Sequence, residues 1–265
     1  MSAKTSPTLS RRTQVAAAAA GLIALLAGLA FLSGPGNRAD AAPGEAVYLG
    51  QANAKRIPLC PERCQGLAIV SGLQAKAGGV GNAYRVPFVG NITRWRIKLG
   101  SPDASQRRFF ENRFGKQPQA AIGVLAKKEQ GGQIVYKLRR RSQIQNLSRF
   151  YGKTATFNLP QPMKVNKGDY VALIVPTWAP ALSTPRACAP LNTSGDVVNP
   201  AVCNQFNRNN SWVASRTRQQ CFNPNGSPKP INMRTSQAQI KVDSLLPYGC
   251  RFNGALTYGV RVESR

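Results

Sequence analysis

The chain has 265 residues, with 36 lysines and arginines against 10 aspartates and glutamates, and a formal net charge of +26. It contains no histidine. That composition excludes Ser-His-Asp and Cys-His nucleophile systems and the HExxH zinc site, and it draws the chain towards polyanions.

The N-terminal stretch reads as an export signal. Arg11-Arg12 closes a basic region, an apolar run follows from Val15 to Leu32, and Ala39-Asp40-Ala41 has the A-x-A spacing that signal peptidase requires. Residues 1–41 are therefore expected to be a signal peptide, with an uncleaved anchor over 15–32 as the alternative. The twin arginine in SRRTQV hints at the route for folded cargo, although the usual apolar residues after the pair are missing. Without Lys4, Arg11, Arg12, Arg38 and Asp40 the remainder holds 32 basic against 9 acidic residues, a net charge of +23.

Residues 42–65 form an N-terminal segment carrying CPERC, and 66–265 read as one domain. The cysteines are Cys60, Cys64, Cys188, Cys203, Cys221 and Cys250. An even number in an exported chain points to disulfides. Fifteen connectivities are open, and pairing of near neighbours is favoured: Cys60–Cys64, Cys188–Cys203 and Cys221–Cys250. A zinc site would need a second close pair or histidines, and CPERC has neither.

From Gly66 onward the pattern has period two. In TRWRIKL the residues Trp95, Ile97 and Leu99 alternate with Arg94, Arg96 and Lys98, giving one apolar face and one row of cations. SPDASQRRFFENRFG then reads as a short helix, with Ser101 as N-cap, Pro102 at its first position, Asp103 in the first turn and Gly115 past its end. Phe110 and Phe114 would share its buried face, with Phe109 beside them, while Arg107, Arg108 and Arg113 reach solvent. AAIGVLAKK and QIVYKLRRR flank EQGGQ, a hairpin signal because Gly131 and Gly132 accept positive φ.

KTATFNL places Ala155, Phe157 and Leu159 on one face. KGDYVALIVPTWAPAL opens on a turn and continues as a strand apolar on both sides, which belongs in the middle of a sheet. Residues 176–234 lose the strand pattern and read as a long cystine-tied loop, since an untied loop of that length is improbable in a compact domain. ALTYGVRVES ends the chain with Leu256, Tyr258, Val260 and Val262 on one face. The expected fold is all-β: an antiparallel β-sandwich of jelly-roll type with one short helix and a long disulfide-tied loop.

The order WRIKLGSP, RRFFENRFGKQPQAAIGVL, KGDYVALIVPTWAPAL and SWVASRTRQQC resembles a group of exported, uncharacterised proteins of high-GC actinobacteria, over roughly residues 92–250. That resemblance implies export and a β-sandwich. It implies no activity and no site residues.

For catalysis the residues offer little. Glu45, Glu62, Asp103, Glu111, Glu129, Asp169, Asp196, Asp243 and Glu263 show no paired spacing, and Asp169 lies in a turn. There is no phosphate-binding or dinucleotide motif, and no S-x-x-K after residue 41. A secreted hydrolase using a carboxylate or a Ser-Lys site stays as one alternative, and a purely structural surface protein as another. NTSGDVVN offers Asn192, Ser194, Asp196 and Asn199 as oxygen ligands for calcium, but with one carboxylate.

Binding without catalysis or cofactor is the expected function. The candidate polyanion-binding residues are Arg94, Arg96, Lys98, Lys127, Lys128, Lys137, Arg139, Arg140 and Arg141. They would form one cationic surface if their strands are neighbours. The expected partners are an anionic wall polymer, an acidic glycan or an anionic membrane surface, with extracellular nucleic acid bound only non-specifically. Tyr151, Trp178 and Trp212 are candidates for an aromatic platform, and packing beneath the long loop is the competing reading for both tryptophans. Trp95 is assigned to the core.

Overall fold

A computed structural model describes residues 44–62, 64–188, 197–227, 229 and 238–265. The expected export signal, and Asn192, Ser194 and Asp196 of the calcium candidate, lie outside them. Asn199 lies within, and its side chain caps a helix, accepting from Val202 N at 3.1 Å. Among the described residues no helix is long and apolar enough to cross a membrane, and no group of acidic, cysteine or histidine side chains could hold a metal ion.

Among the described residues fifteen strands form, in chain order: β1 (Ala46–Leu49), β2 (Leu67–Ala77), β3 (Val80–Gly81), β4 (Gly90–Lys98), β5 (Gln119–Gln130), β6 (Gln133–Arg141), β7 (Gln145–Asn146), β8 (Thr154–Val165), β9 (Tyr170–Ala179), β10 (Leu182–Ser183), β11 (Ser211–Ala214), β12 (Leu245–Pro247), β13 (Cys250–Asn253), β14 (Ala255–Leu256) and β15 (Tyr258–Ser264). The helices are α1 (Ala104–Phe114), α2 (Pro200–Asn209) and α3 (Arg218–Cys221). One sheet has the order β1-β15-β4-β8. The other has the order β12-β6-β5-β9-β2-β11-β13.

Setting aside the short strands and the additions β11, β12 and β13, eight antiparallel strands remain. The first sheet holds the first, eighth, third and sixth of these, and the second holds the second, seventh, fourth and fifth. That is the jelly-roll order. The first strand comes from the segment before Gly66, since Ala46–Leu49 pairs with Val260–Glu263. That segment is thus part of the sandwich, not a separate leader to it.

Local chemistry explains the elements. Gly131 and Gly132 have φ of 57° and 71°, the two-residue turn in which Gln130 faces Gln133. On β4, Ile92, Trp95 and Ile97 are buried and the residues between them are not. β15 buries Tyr258, Val260 and Val262 as its alternation requires. The α1 N-cap is Asp103, not Ser101. Its carboxylate accepts from Ser105 N at 2.8 Å and Gln106 N at 2.9 Å, and Gln106 answers Asp103 N at 3.0 Å. Aspartate outcompetes the serine because the Gln106 side chain completes the box only from position 103.

The sheets are joined through two fully buried tyrosines. Tyr258 Oη donates to Val171 O of β9 at 2.8 Å, and Tyr84 Oη donates to Tyr258 O at 2.6 Å. Burial raises both phenols far above their ordinary pKa, so they stay neutral donors. Gly50, at φ 71°, makes room, since a Cβ there would lie 2.0 Å from the Tyr84 hydroxyl.

β9 sits between β5 and β2 and is buried along both faces from Val171 to Val175. The face bearing Tyr170, Ala172 and Ile174 turns away from the first sheet and is roofed by the stretch Gln239–Tyr248. Gln239 N donates to Ser71 Oγ at 2.8 Å, its amide to Tyr136 O and Ser244 O, both at 2.9 Å, and it accepts from Tyr248 Oη at 2.9 Å.

The described residues between 176 and 234 are not one loop. They hold α2 and β11, and β11 lies between β2 and β13 in the sheet. The three disulfides are Cys60–Cys64, Cys188–Cys203 and Cys221–Cys250, and no described cysteine is free. Such bonds mark an oxidising setting.

At one end of the sandwich α1 lays Phe110 on Trp178, with ring centroids 4.9 Å apart and planes 11° apart. Phe110→Ala should cost about 3 kcal/mol or more, read as a lower urea midpoint with an unchanged slope. Acid should loosen α1. The Ser105 hydroxyl, then Gln106 N, hold the Asp103 carboxyl below its usual range. A depressed carboxylate pKa contributes above the unfolded value and is lost as pH falls through the folded one. Amide protection at Ser105 and Gln106 should therefore drop below about pH 4, and be low at neutral pH in Asp103→Ala.

Candidate polyanion interface

The predicted cations do not form one surface. β4 belongs to the first sheet and β5 and β6 to the second, so Arg94, Arg96 and Lys98 lie apart from the other six. The reason is topological. Most successive main strands of a jelly roll cross between sheets, so β2, β4 and β5 alternate sides while β6 stays beside β5. Lys127 and Lys128 are exposed near the hairpin tip, opposite Tyr136 and Val135. Lys98, at the end of β4, donates to Gly152 O at 3.2 Å.

Three of the nine converge. Arg139, Arg140 and Arg141 line a groove of about 770 Å³ between β6 and β8, whose other wall is Thr156 to Met163. β8 is an edge strand, and between Asn158 and Met163 its register slips against Ile92 and Arg94. Leu159, Pro160, Gln161 and Pro162 form that bulge, an arrangement prolines tolerate at a sheet edge. Arg140 Nη1 donates to Lys164 O at 3.1 Å, tying the two walls. A smaller recess of about 330 Å³ continues from Arg139 and Arg140 to Lys164, Asn166, Asp243 and Arg265.

The charge balance there is positive. Asp169, its side chain 5% exposed, pairs with Arg139 at 3.4 Å and accepts from Asn166 N at 2.9 Å. Asp243 pairs with Lys137 at 2.8 Å. The bonds of Arg140, Arg141 and Arg265 go to neutral groups: Lys164 O, the carbonyls of Ile240 and Ser142, and the Asn91 amide. Among the described residues, Arg140, Arg141, Lys164 and Arg265 therefore face the groove with no carboxylate partner.

A second basic surface lies on the outer face of the first sheet. Arg94 and Arg96 share a depression of about 310 Å³ with Arg261, Tyr48 and Thr156. Thr156 also lines the long groove, so the two surfaces meet at β8. Lys164, Arg261 and Arg265 were not singled out from sequence. Arg261 was visible as an outward position of β15, but Lys164 follows two prolines that mask the strand.

Trp178 and Trp212 do not form an aromatic platform with Tyr151. Trp178 is fully buried, stacked on Phe110 and close to Tyr151 at 6.1 Å, and its Nε1–H donates to Gly115 O at 3.0 Å. Trp212 is 7% exposed and packs on Phe252 at 4.9 Å. Neither ring has a face to offer. Tyr151 is half-buried, with Arg107 5.9 Å from its ring centre. Partial burial, then the Glu111 carboxylate, push its phenol up to about 12. Partly exposed rings meet elsewhere: Tyr136 and Tyr170 line a recess of about 460 Å³ with Tyr248, Arg218 and Arg251. Alternation places each ring on a face, but only the sheet order brings them together.

Comparison with protein-family models, curated proteins and solved structures finds no match to this chain.

The groove cations divide into structural and uncommitted groups. Arg139→Gln should lower stability by about 1–2 kcal/mol, because it leaves a buried carboxylate without its ion-pair partner, discounted for the arginine's partial exposure. Arg140→Gln and Lys164→Gln should each change it by less than about 0.5 kcal/mol. Chemical denaturation of the three variants tests this.

Proposed function

We propose that this protein is an exported, cell-surface or extracellular jelly-roll module that binds an anionic polymer, a wall polymer or an acidic glycan, without catalysing a reaction. One observation carries the reading: Arg140, Arg141, Lys164 and Arg265 gather along one groove while the carboxylates nearest them, Asp169 and Asp243, are paired to Arg139 and Lys137. Three disulfides and the signal-like N-terminus support export. The length of the groove, and its meeting with the Arg94–Arg96 depression at Thr156, suit a chain of charges better than a compact ligand.

The placement of the carboxylates favours binding over hydrolysis. Asp103 caps α1, Asp169 closes a turn, Glu62 pairs with Arg186, and Glu263 pairs with Arg261. Those four are committed to separate parts of the fold, whereas glycoside hydrolysis needs two carboxyls about 5–10 Å apart across a cleft.

Polyanion binding of this kind gains free energy from counterion release, so affinity falls linearly in log–log against salt. Retention on immobilised heparin or purified wall polymer should drop steeply between low and moderate salt. Combining Arg140→Gln, Lys164→Gln and Arg265→Gln should reduce the salt slope by about 2–3. Equal retention of the triple variant, or no retention at low salt, would sink the reading.

A further inference from the structure

The depression on the outer face of the first sheet has an electrostatic problem that the protein alone leaves open. Arg261 of β15 stands directly opposite Arg94 of β4, and Arg96 lies two residues along β4 on the same face. Like charges directly opposite each other on neighbouring strands are destabilising. The carboxylate at hand is Glu263, which pairs with Arg261 at 3.0 Å and accepts from Thr93 Oγ1 at 3.2 Å. Among the described residues, Arg261 alone of the three guanidiniums has a carboxylate partner.

Their other bonds go to neutral groups. Arg94 Nη2 donates to Tyr48 Oη at 3.0 Å, and Arg96 Nη2 to Gln51 O at 3.4 Å. The Nε–H groups of Arg96 and Arg261 are buried without any acceptor. A buried donor left unmade costs the desolvation of that group. The cluster thus holds both excess charge and unused donors. The backbone packs closely over this face: a side chain at Gly259, opposite Arg96, would meet the Leu49 carbonyl at 2.9 Å. The turn after β1 packs there and keeps Tyr48 and Gln51 beside the arginines.

We propose that Arg94, Arg96 and Arg261 form a seat for one tetrahedral oxyanion, a phosphate or sulfate group. The depression, about 310 Å³, is of a size for a single group and its immediate substituent. Planar guanidinium forks match the oxygens of such an anion in pairs. Tyr48 Oη, already accepting from Arg94, has its own hydrogen to give, and Thr156 adds a hydroxyl at the rim. A doubly charged tetrahedral anion offsets the three cations better than a carboxylate, which carries one charge and two oxygens. The group can be a free ion or an ester on a polymer. Only the second source rests on the polymer-binding reading above; the seat itself does not.

The test is calorimetric titration and thermal unfolding with inorganic phosphate, sulfate and acetate at constant ionic strength. The background is the triple groove variant Arg140→Gln, Lys164→Gln and Arg265→Gln. Phosphate and sulfate should bind saturably at one site and raise the unfolding temperature, with acetate at least about tenfold weaker. Arg94→Gln should unfold at a higher temperature than its parent in chloride, because it removes one of two opposed charges, and should lose the phosphate-dependent rise. Arg94→Lys, which keeps the charge but not the fork, should bind phosphate at least about tenfold more weakly. Equal binding of acetate, an undiminished phosphate response in Arg94→Gln, or no saturable binding would each overturn the seat. A phosphorylated or sulfated disaccharide that competes with inorganic phosphate identifies the ester as an occupant; failure to compete restricts the seat to free ions. Failure of polymer retention with intact phosphate binding removes the polymer reading and leaves the seat standing.

Discussion

A strand that is apolar on both sides has to be covered twice, and β9 sets that condition for this molecule. Its Val171, Leu173 and Val175 side faces the first sheet, where Tyr258 reaches across to hydrogen-bond the Val171 carbonyl. Its Tyr170, Ala172 and Ile174 side would meet water in a two-layer sandwich. The stretch Gln239–Tyr248 supplies the third layer, fastened where the Gln239 backbone and side chain both find partners. The Cys221–Cys250 bond joins α3 to β13 beside it, limiting the entropy the chain loses in making so distant a contact.

The same topology distributes the charge. A row of cations on an outward strand face costs little while water screens it, and Arg94, Arg96 and Lys98 occupy such a row. What matters is the company each cation keeps. In the groove, Arg139 is matched to a buried carboxylate and serves the fold, while Arg140 braces the two walls through a carbonyl and keeps its charge available. On the first sheet, Arg94 and Arg261 are forced opposite each other by register. The excess of basic residues is therefore divided among structural ion pairs, solvated positions and two places where positive charge is concentrated.

Much of the fold was legible because strand alternation is a local property. The faces of TRWRIKL, KTATFNL and ALTYGVRVES, the double burial of KGDYVALIV and the turn at Gly131-Gly132 follow from residue order alone. The disulfide pairing did not, since fifteen connectivities were open; the favoured local one is the one the fold makes. Where local signals misled, a neighbour decided the matter. Gln106 moved the helix cap from Ser101 to Asp103, prolines hid the second half of β8, and β11 is a strand because β2 and β13 lie on either side of it. Trp178, at the end of an apolar strand, could as well have been a lip as a plug. The docking of Phe110 makes it a plug.

By itself the sequence excluded histidine-dependent chemistry and determined the two-faced strands and the oxidising setting, because these depend on residue types and short spacings. Only the tertiary structure decided which cations lie together. Strand period sends a side chain to a face, but crossovers between sheets choose its neighbours across the strand, and those choices are made by contacts far apart in the chain. Arg139–Arg141 meet Lys164 and Arg265, and Arg94 meets Arg261, through pairings that no local pattern encodes.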